Sequence, residues 1–369
     1  MSKVKLPVFG LSNMGNTCFF NSCLQCILAS KSFIIGLHQI RESLSSRSLM
    51  NEMLELGTQE KQSPRGVFRH LVRKNRVYGY YNQQDSQEAF ANLLDIMENE
   101  IEKMKLPRYR LDFQGYLVYQ LHCFKCQWTE LLFQDNTTLM LDIERNSERY
   151  PKQMEEVRKL KTGQARHGKR GNFIEFDKAS IRDHKNVTRS GFKAGQMKIF
   201  EDLSQMEGES GGDKKETRLE TMLSNFFEYS FFSRKQHEYQ CERCQKNSTY
   251  AFKKYYIFRP PEVLVLCVKK FAKSKYSLFG RWTKSSVNVT YPEILDLSRH
   301  MVNINLTDSS KRGIYRLLGV VNHSGGLGGG HYTSYIRKNE QWYYISDSYY
   351  KESSLKSALN ADAYLGFYE

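Results

Sequence analysis

Hydrophobic spacing changes twice along this chain. After Cys18, the residues Phe20, Leu24, Ile27 and Leu28 recur at three- and four-residue steps, which predicts a helix with one apolar face and Thr17 placed to cap its start. A second helical run begins near Asp85 and carries Phe90, Leu93, Leu94 and Met97. From Tyr116 to Ile143 the pattern turns strand-like, with a knuckle at His122-Cys123-Phe124-Lys125-Cys126. Residues 144–218 hold no sustained period and end in Glu207-Gly208-Glu209-Ser210-Gly211-Gly212-Asp213, a loop by composition. Leu219 to Phe232 reads as a short helix, followed by a second knuckle at Cys241 and Cys244. Beyond Pro260-Pro261 come strands at Val263–Val268, Tyr315–Val321, His331–Ile336 and Trp342–Ile345, and no internal repeat is visible. A helical first third and a strand-rich last third predict an α+β cleft fold.

Composition narrows the class. At 369 residues the chain can bury a substantial core, and 13% aromatic content, with 23 Tyr and 22 Phe, excludes a disordered chain. Met1-Ser2-Lys3-Val4-Lys5 opens no signal-like apolar run, and the longest purely apolar run, Val263–Val268, suits a buried strand rather than a membrane span. The expectation is a soluble, cytoplasmic or nuclear monomer without membrane contact. The net charge of +15 is concentrated, since Lys152 to Lys198 holds 13 Lys/Arg against 5 Asp/Glu. That stretch reads either as a solvated basic loop or as a surface for an acidic or nucleic-acid partner.

The eight cysteines form three groups: Cys18, Cys23 and Cys26; the pairs Cys123/Cys126 and Cys241/Cys244; and Cys267. Without a secretory signal the pairs read as metal ligands rather than disulfides. Two Cys-x-x-Cys pairs supply the four thiolates of a closed, structural zinc site, here clipping two distant hairpins together. Two redox-active pairs are the alternative, but a redox pair needs no twin. Cys23, Cys26 and Cys267 sit among apolar neighbours and read as core thiols.

Cys18 is different. It falls in the first turn of its predicted helix, where unpaired amides and the macrodipole favour a thiolate. A cysteine becomes a working nucleophile when a base holds its proton, and His331, in Gly328-Gly329-Gly330-His331-Tyr332-Thr333-Ser334-Tyr335, is the candidate. Glycines there allow close backbone approach, as a channel for an extended, small-residue tail requires. His323 reads as an ordinary core or surface histidine. The two ends together predict a cysteine-dependent acyl-transfer enzyme.

These segments resemble the boxes of the ubiquitin-specific proteases, papain-related cysteine peptidases that remove ubiquitin from proteins. Gly10–Gln25 is similar to the family's cysteine box, Gly329–Tyr335 to its histidine box, and Gln83-Gln84-Asp85-Ser86-Gln87-Glu88 to its Gln-Asp motif. Arg259–Leu266 resembles the strand before the ubiquitin-tail channel, and the paired knuckles resemble the zinc clip of the fingers. The resemblance implies one papain-like catalytic domain over 1–369: a thumb at 1–115, zinc-tipped fingers at 116–258 with a basic insertion at about 144–218, and a palm at 259–369. It implies Cys18 as nucleophile, His331 as general base and then acid, and Asn13 as an oxyanion donor contributing about 3–4 kcal/mol. It further implies substrate contacts from Gln84, Asp85, Gly330 and Tyr332, one zinc ion on Cys123, Cys126, Cys241 and Cys244, and ubiquitin and ubiquitinated proteins as partners. Asp85 reads equally as a helix N-cap.

One position departs from the family pattern. Where Asn or Asp usually orients the histidine, Trp342-Tyr343-Tyr344-Ile345-Ser346-Asp347 has Ser346, with Asp347 next. Strand neighbours face opposite sides, so only one can readily reach His331. A small branch with Ser here, that of the human ubiquitin-specific proteases sixteen and forty-five, is the closer resemblance, which selects Ser346 and leaves Asp347 as the alternative. The separate N-terminal zinc-finger domain of that branch has no counterpart in these residues. A protease for another ubiquitin-like modifier, a weakly active ubiquitin-binding scaffold, and a chromatin or nucleic-acid contact through the basic stretch are the other readings.

Overall fold

Helix α1, Cys18–Ala29, has all twelve residues buried, more than its single apolar stripe predicts. Its polar side chains explain the difference, because they bond the segment Leu6–Ser12 that lies along it. Gln25 Nε2 donates to the Phe9 carbonyl at 2.8 Å, and Asn21 Nδ2 lies 3.3 Å from both the Leu11 and Ser12 carbonyls. The helix thus buries both side-chain amides with their N–H groups bonded, while the Asn21 Oδ1 and Gln25 Oε1 oxygens are buried without a partner.

The computed structural model describes residues 6–59, 62–80, 82–106, 109–126, 128–143, 217–232, 251–273, 282–304, 313–326 and 329–369. It also describes the short pieces 173–175, 181–182, 197–200, 239–241, 243–245 and 247–248. Most of the basic 144–218 stretch, with the loop predicted at 207–213, lies outside the described residues.

Around α1 pack α2 (Lys31–Gln39), α3 (Leu49–Thr58), α4 (Arg65–Lys74) and α5 (Ser86–Lys103). Ser30, Ser48 and Asp85 cap α2, α3 and α5, each accepting from a first-turn amide. Thr17 does not cap α1, contrary to expectation. Its hydroxyl turns back into the preceding loop, accepting from the Met14 amide at 2.9 Å and donating to Asn13 Oδ1 at 3.3 Å.

The strand-rich end forms an eight-stranded sheet. Its order is Tyr349–Ser353, Gln341–Ser346, Gly329–Lys338, Ile314–Gly326, Ala363–Tyr368, Leu264–Val268 and Leu139–Leu141, with Ile294–Asp296 pairing onto Ile314–Gly326. The Leu264–Val268 strand shows why the run is apolar throughout. Val265 and Cys267 face a core shared with the helices, while Leu264, Leu266 and Val268 face a second core on the other side. In the first core Phe90 meets Phe113 and Phe367 edge-on, with ring centroids 5.5 and 5.6 Å apart.

A second sheet carries the first knuckle, in the order Ile181–Arg182, Trp128–Asn136, Gly115–Cys123, Ala251–Arg259 and Ser230–Phe231, and the second knuckle lies between the paired strands Tyr239–Gln240 and Asn247–Ser248. The helix expected over Leu219–Phe232 is shorter, Leu219–Phe226, and the chain then enters the Ser230–Phe231 strand. Phe231 pairs with Phe252 there, so the aromatic run after Phe226 satisfies its β propensity in the sheet. Among the described residues no single helix is long and apolar enough to cross a membrane.

Candidate active site

The loop before α1 is built on Asn13. Its Oδ1 accepts from the Gly15 amide at 2.9 Å and the Thr17 amide at 3.1 Å, which winds residues 13–17 into the turn that starts the helix at Cys18. Its Nδ2 donates to Asp347 Oδ2 at 2.9 Å, while Asn21 Nδ2 donates to Asp347 Oδ1 at 2.7 Å. One carboxylate from the far end of the chain therefore holds both sides of the cysteine turn. The backbones join there too: the Leu11 amide donates to the Asp347 carbonyl at 2.8 Å. Gly10 lies so close that a Cβ on it would sit 2.2 Å from the Ser348 carbonyl oxygen, so only glycine fits.

Ser346 and Asp347 divide their work by backbone geometry. Ser346 ends the Gln341–Ser346 strand, and its Oγ lies 2.8 Å from His331 Nε2. Asp347 leaves the strand with φ of 49°, in the left-handed region, and this swings its carboxylate to Asn13 and Asn21. With Nε2 engaged, Nδ1 is the nitrogen of His331 left to serve a thiol. Next to His331, the Tyr332 backbone amide points at the Cys18 sulfur.

Cys18 is 2% exposed, and burial pushes its thiol above the ordinary range. The amides of Tyr332 and Phe19 pull the other way, and the Asp347 charge reinforces the rise. The expectation that the first turn of the helix favours a thiolate is thus corrected. Desolvation outweighs the amides, so the proton must be taken by a partner. Cys23, Cys26 and Cys267 are fully buried core thiols, also raised by burial.

Asp85 caps α5, its Oδ1 accepting from the Gln87 and Glu88 amides at 2.7 and 3.1 Å, while Oδ2 accepts from the Tyr364 hydroxyl at 2.7 Å. Tyr332 is buried, and its ring packs against His323 with centroids 4.5 Å apart. Far from this cleft, the sulfurs of Cys123, Cys126, Cys241 and Cys244 all lie within 4.8 Å of one another. Four sulfurs around a zinc ion at 2.3 Å stand roughly 3.8 Å apart, and the Cys126–Cys241 separation is 3.6 Å. The set therefore fits a tetrahedral thiolate site. Burial opposes ionisation of Cys241, but the Cys244 and Arg243 amides together with the Cys126 and Cys244 thiols outweigh it and bring that thiol down to about 7.

A family profile described as ubiquitin carboxyl-terminal hydrolase matches residues 9–368. The chain belongs to that family. Ubiquitin carboxyl-terminal hydrolase 2 of Bos taurus is 28% identical over 385 residues, covering 100% of this chain and 56% of the relative. Ubiquitin carboxyl-terminal hydrolase 16 of Arabidopsis thaliana is 24% identical over 390 residues, covering 99% of this chain and 31% of the relative. The chain thus spans about half, or less, of the length of these relatives. Among solved structures, the SAGA DUB module of Ubp8, Sgf11, Sus1 and Sgf73 bound to monoubiquitin shares the fold. Its TM-score is 0.64 at 21% identity, over 98% of this chain and 68% of that one.

Three polar side chains of this hydrolase-family site escaped the sequence reading. Asn21 lay inside the Gly10–Gln25 segment with no role assigned to it. Gln83, rather than Gln84, bonds both backbone groups of Gly330: its Oε1 accepts from the Gly330 amide at 2.8 Å, and its Nε2 donates to the Gly330 carbonyl. Lys284 Nζ donates to the His323 carbonyl at 2.6 Å and lies 3.4 Å from that of Gly325. Each bonds atoms far away in sequence, and the repeated Gln in Gln83-Gln84 was the one available hint.

Proposed function

We propose that this chain is a cysteine-type deubiquitinase that hydrolyses the isopeptide or peptide bond after the C-terminal glycine of ubiquitin. The observation that carries this reading is the seam itself, in a chain of the ubiquitin carboxyl-terminal hydrolase family: Cys18 against the Tyr332 amide, and His331 bonded to Ser346. Cys18 Sγ attacks the glycine carbonyl carbon as His331 Nδ1 takes the thiol proton. The oxyanion is met by the second N–H of Asn13 Nδ2, whose first is engaged with Asp347, and by the Cys18 amide. His331 then gives its proton to the departing lysine amine, leaving a thioester. A water, losing its proton to His331, cleaves the thioester and frees the ubiquitin carboxylate.

Ser346 fixes the ring and the tautomer. Its neutral hydroxyl accepts an imidazole N–H but stabilises imidazolium less than a carboxylate does. Ser346 in this role, with Gln83-Gln84-Asp85-Ser86, supports kinship with the serine-bearing branch of the family. Gln84, Asp85, Gly330 and Tyr332 flank the ubiquitin tail. Ubiquitin as substrate is further supported by the fold likeness to modules bound to monoubiquitin and to ubiquitin aldehyde. The helices act as a thumb, the eight-stranded sheet as a palm, and the knuckle-bearing sheet as fingers. Cys123, Cys126, Cys241 and Cys244 hold one structural zinc ion, which ties the two finger hairpins together.

The test is covalent capture by ubiquitin carrying a C-terminal electrophile. Labelling of the wild-type protein that vanishes in Cys18→Ala is expected. A folded wild type that ignores this probe but takes up that of another ubiquitin-like modifier overturns the substrate. For the basic stretch, replacing residues 150–215 by a Gly-Ser linker should slow cleavage of nucleosomal ubiquitin more than of free ubiquitin chains. Equal rates remove the idea of a chromatin contact.

A further inference from the structure

The hairpin that delivers His331 has almost no side chains with which to hold itself: five of its seven residues from Ser324 to Gly330 are glycine. Glycine loses more conformational freedom on folding than any other residue, yet a general base must keep its place within a fraction of an ångström. Two side chains from elsewhere in the chain grip this hairpin, and both grip its backbone. Gly325 and Gly330 are cross-strand partners, as are His323 and Tyr332. On one strand Lys284 Nζ reaches the His323 and Gly325 carbonyls, at 2.6 and 3.4 Å. On the other, the Gln83 amide bonds both the N–H and the carbonyl of Gly330, as a neighbouring strand would. Each member of the Gly325–Gly330 pair is therefore held from outside.

The space between is filled. A Cβ on Gly330 would lie 2.3 Å from His323 Nε2, so the missing side chain makes room for that buried ring. The ring packs in turn on Phe271 and Tyr332, with centroids 5.5 and 4.5 Å away. Lys284 is itself only 17% exposed, 4.0 Å from Asp362, whose carboxylate also pairs with the buried Lys270.

We propose that Lys284 and Gln83 are positioning residues that form a two-sided clamp on the glycine hairpin and set His331 in line with Cys18. Neither needs to touch substrate for this. The proposal rests on reading His331 as the general base, and misplacement of a reacting group by about 1 Å costs on the order of a hundredfold in rate. Loss of either grip should therefore lower kcat and leave ubiquitin affinity alone.

The experiment is steady-state hydrolysis of ubiquitin bearing a C-terminal aminomethylcoumarin amide by the full chain. The variants are Gln83→Ala, Lys284→Met, Lys284→Arg, the Gln83→Ala/Lys284→Met double and His331→Ala, each with a melting curve. Expected are kcat losses of about tenfold to a hundredfold for the two truncations, KM within about twofold, and recovery of most activity in Lys284→Arg. The double variant should lose less than the product of the single losses, because both grips hold one element. Unchanged kcat in a folded Gln83→Ala or Lys284→Met overturns the clamp, and so does a loss confined to KM, which would make these residues substrate contacts. If Lys284→Met melts early, Gln83→Ala and Lys284→Arg still decide the matter. Full activity in His331→Ala sinks the assignment of the base instead, an outcome distinct from either.

Discussion

The catalytic seam and the cysteine knuckle both join residues distant in sequence, but they are joined by different means. At the seam, Cys18 and His331 ride on a fully buried helix and a central strand, and the hydrogen bonds around them, Asn13 to Asp347 and His331 to Ser346, are neutral or single-charge. At the knuckle, four sulfurs converge at the end of narrow strands, with Cys126 and Cys244 only partly buried. The seam is held by its surroundings and so tolerates loss of a reacting group. The knuckle, on the proposed zinc reading, is held by its own ligands and should not. The difference teaches where activity and stability part company.

The largest effect should come at the knuckle. Structural zinc contributes about 10–16 kcal/mol in small domains, so a chelator, or Cys241→Ser, should release one zinc ion per chain and lower the melting temperature. Metal analysis alongside calorimetry checks this. An unchanged melt after complete zinc removal would erase the contrast between the two regions. Next in size, Cys18→Ala should cut turnover by about a millionfold while leaving the melt within error, since alanine fits the same buried site.

Ser346→Ala should lower kcat by about tenfold to a hundredfold, the range of a general-base contribution only partly lost, with KM little changed. Ser346→Asn, which restores an acceptor, should recover part of it. The smallest effect belongs to Asp347→Asn. Its negative charge raises the Cys18 thiol, so neutralising it favours the thiolate, and the midpoint of the pH profile for iodoacetamide alkylation should move to lower pH. The same change weakens charge-assisted bonds to Asn13 and Asn21 and should cost about 1–3 kcal/mol of stability. A profile moving to higher pH would contradict the electrostatic account.

What could be read from the sequence follows from how local each feature is. The α1 helix, the α5 start at Asp85 and the paired knuckles are each signalled within a few residues: both helices formed where expected and the four knuckle sulfurs cluster. Helices α2 to α4, of nine or ten residues, were legible only as a helical first third. The contacts that finish the site were not legible, because they join single side chains to partners from 39 to 334 positions away. No residue pattern announces that Asp347 adopts a positive φ, that Gln83 acts as a strand neighbour, or that Lys284 reaches two carbonyls. The Thr17 cap failed for a related reason: the Met14 amide, three residues earlier, donates at 2.9 Å to the hydroxyl oxygen that would have capped the helix.

The bond from the Leu11 amide to the Asp347 carbonyl turns the first strand of sequence into a gauge. That proton is sealed only while the cysteine turn and the Ser346–Ser348 corner remain docked. Its deuterium uptake, followed by mass spectrometry on an unliganded sample, would time the opening of the catalytic centre without any substrate, inhibitor or label.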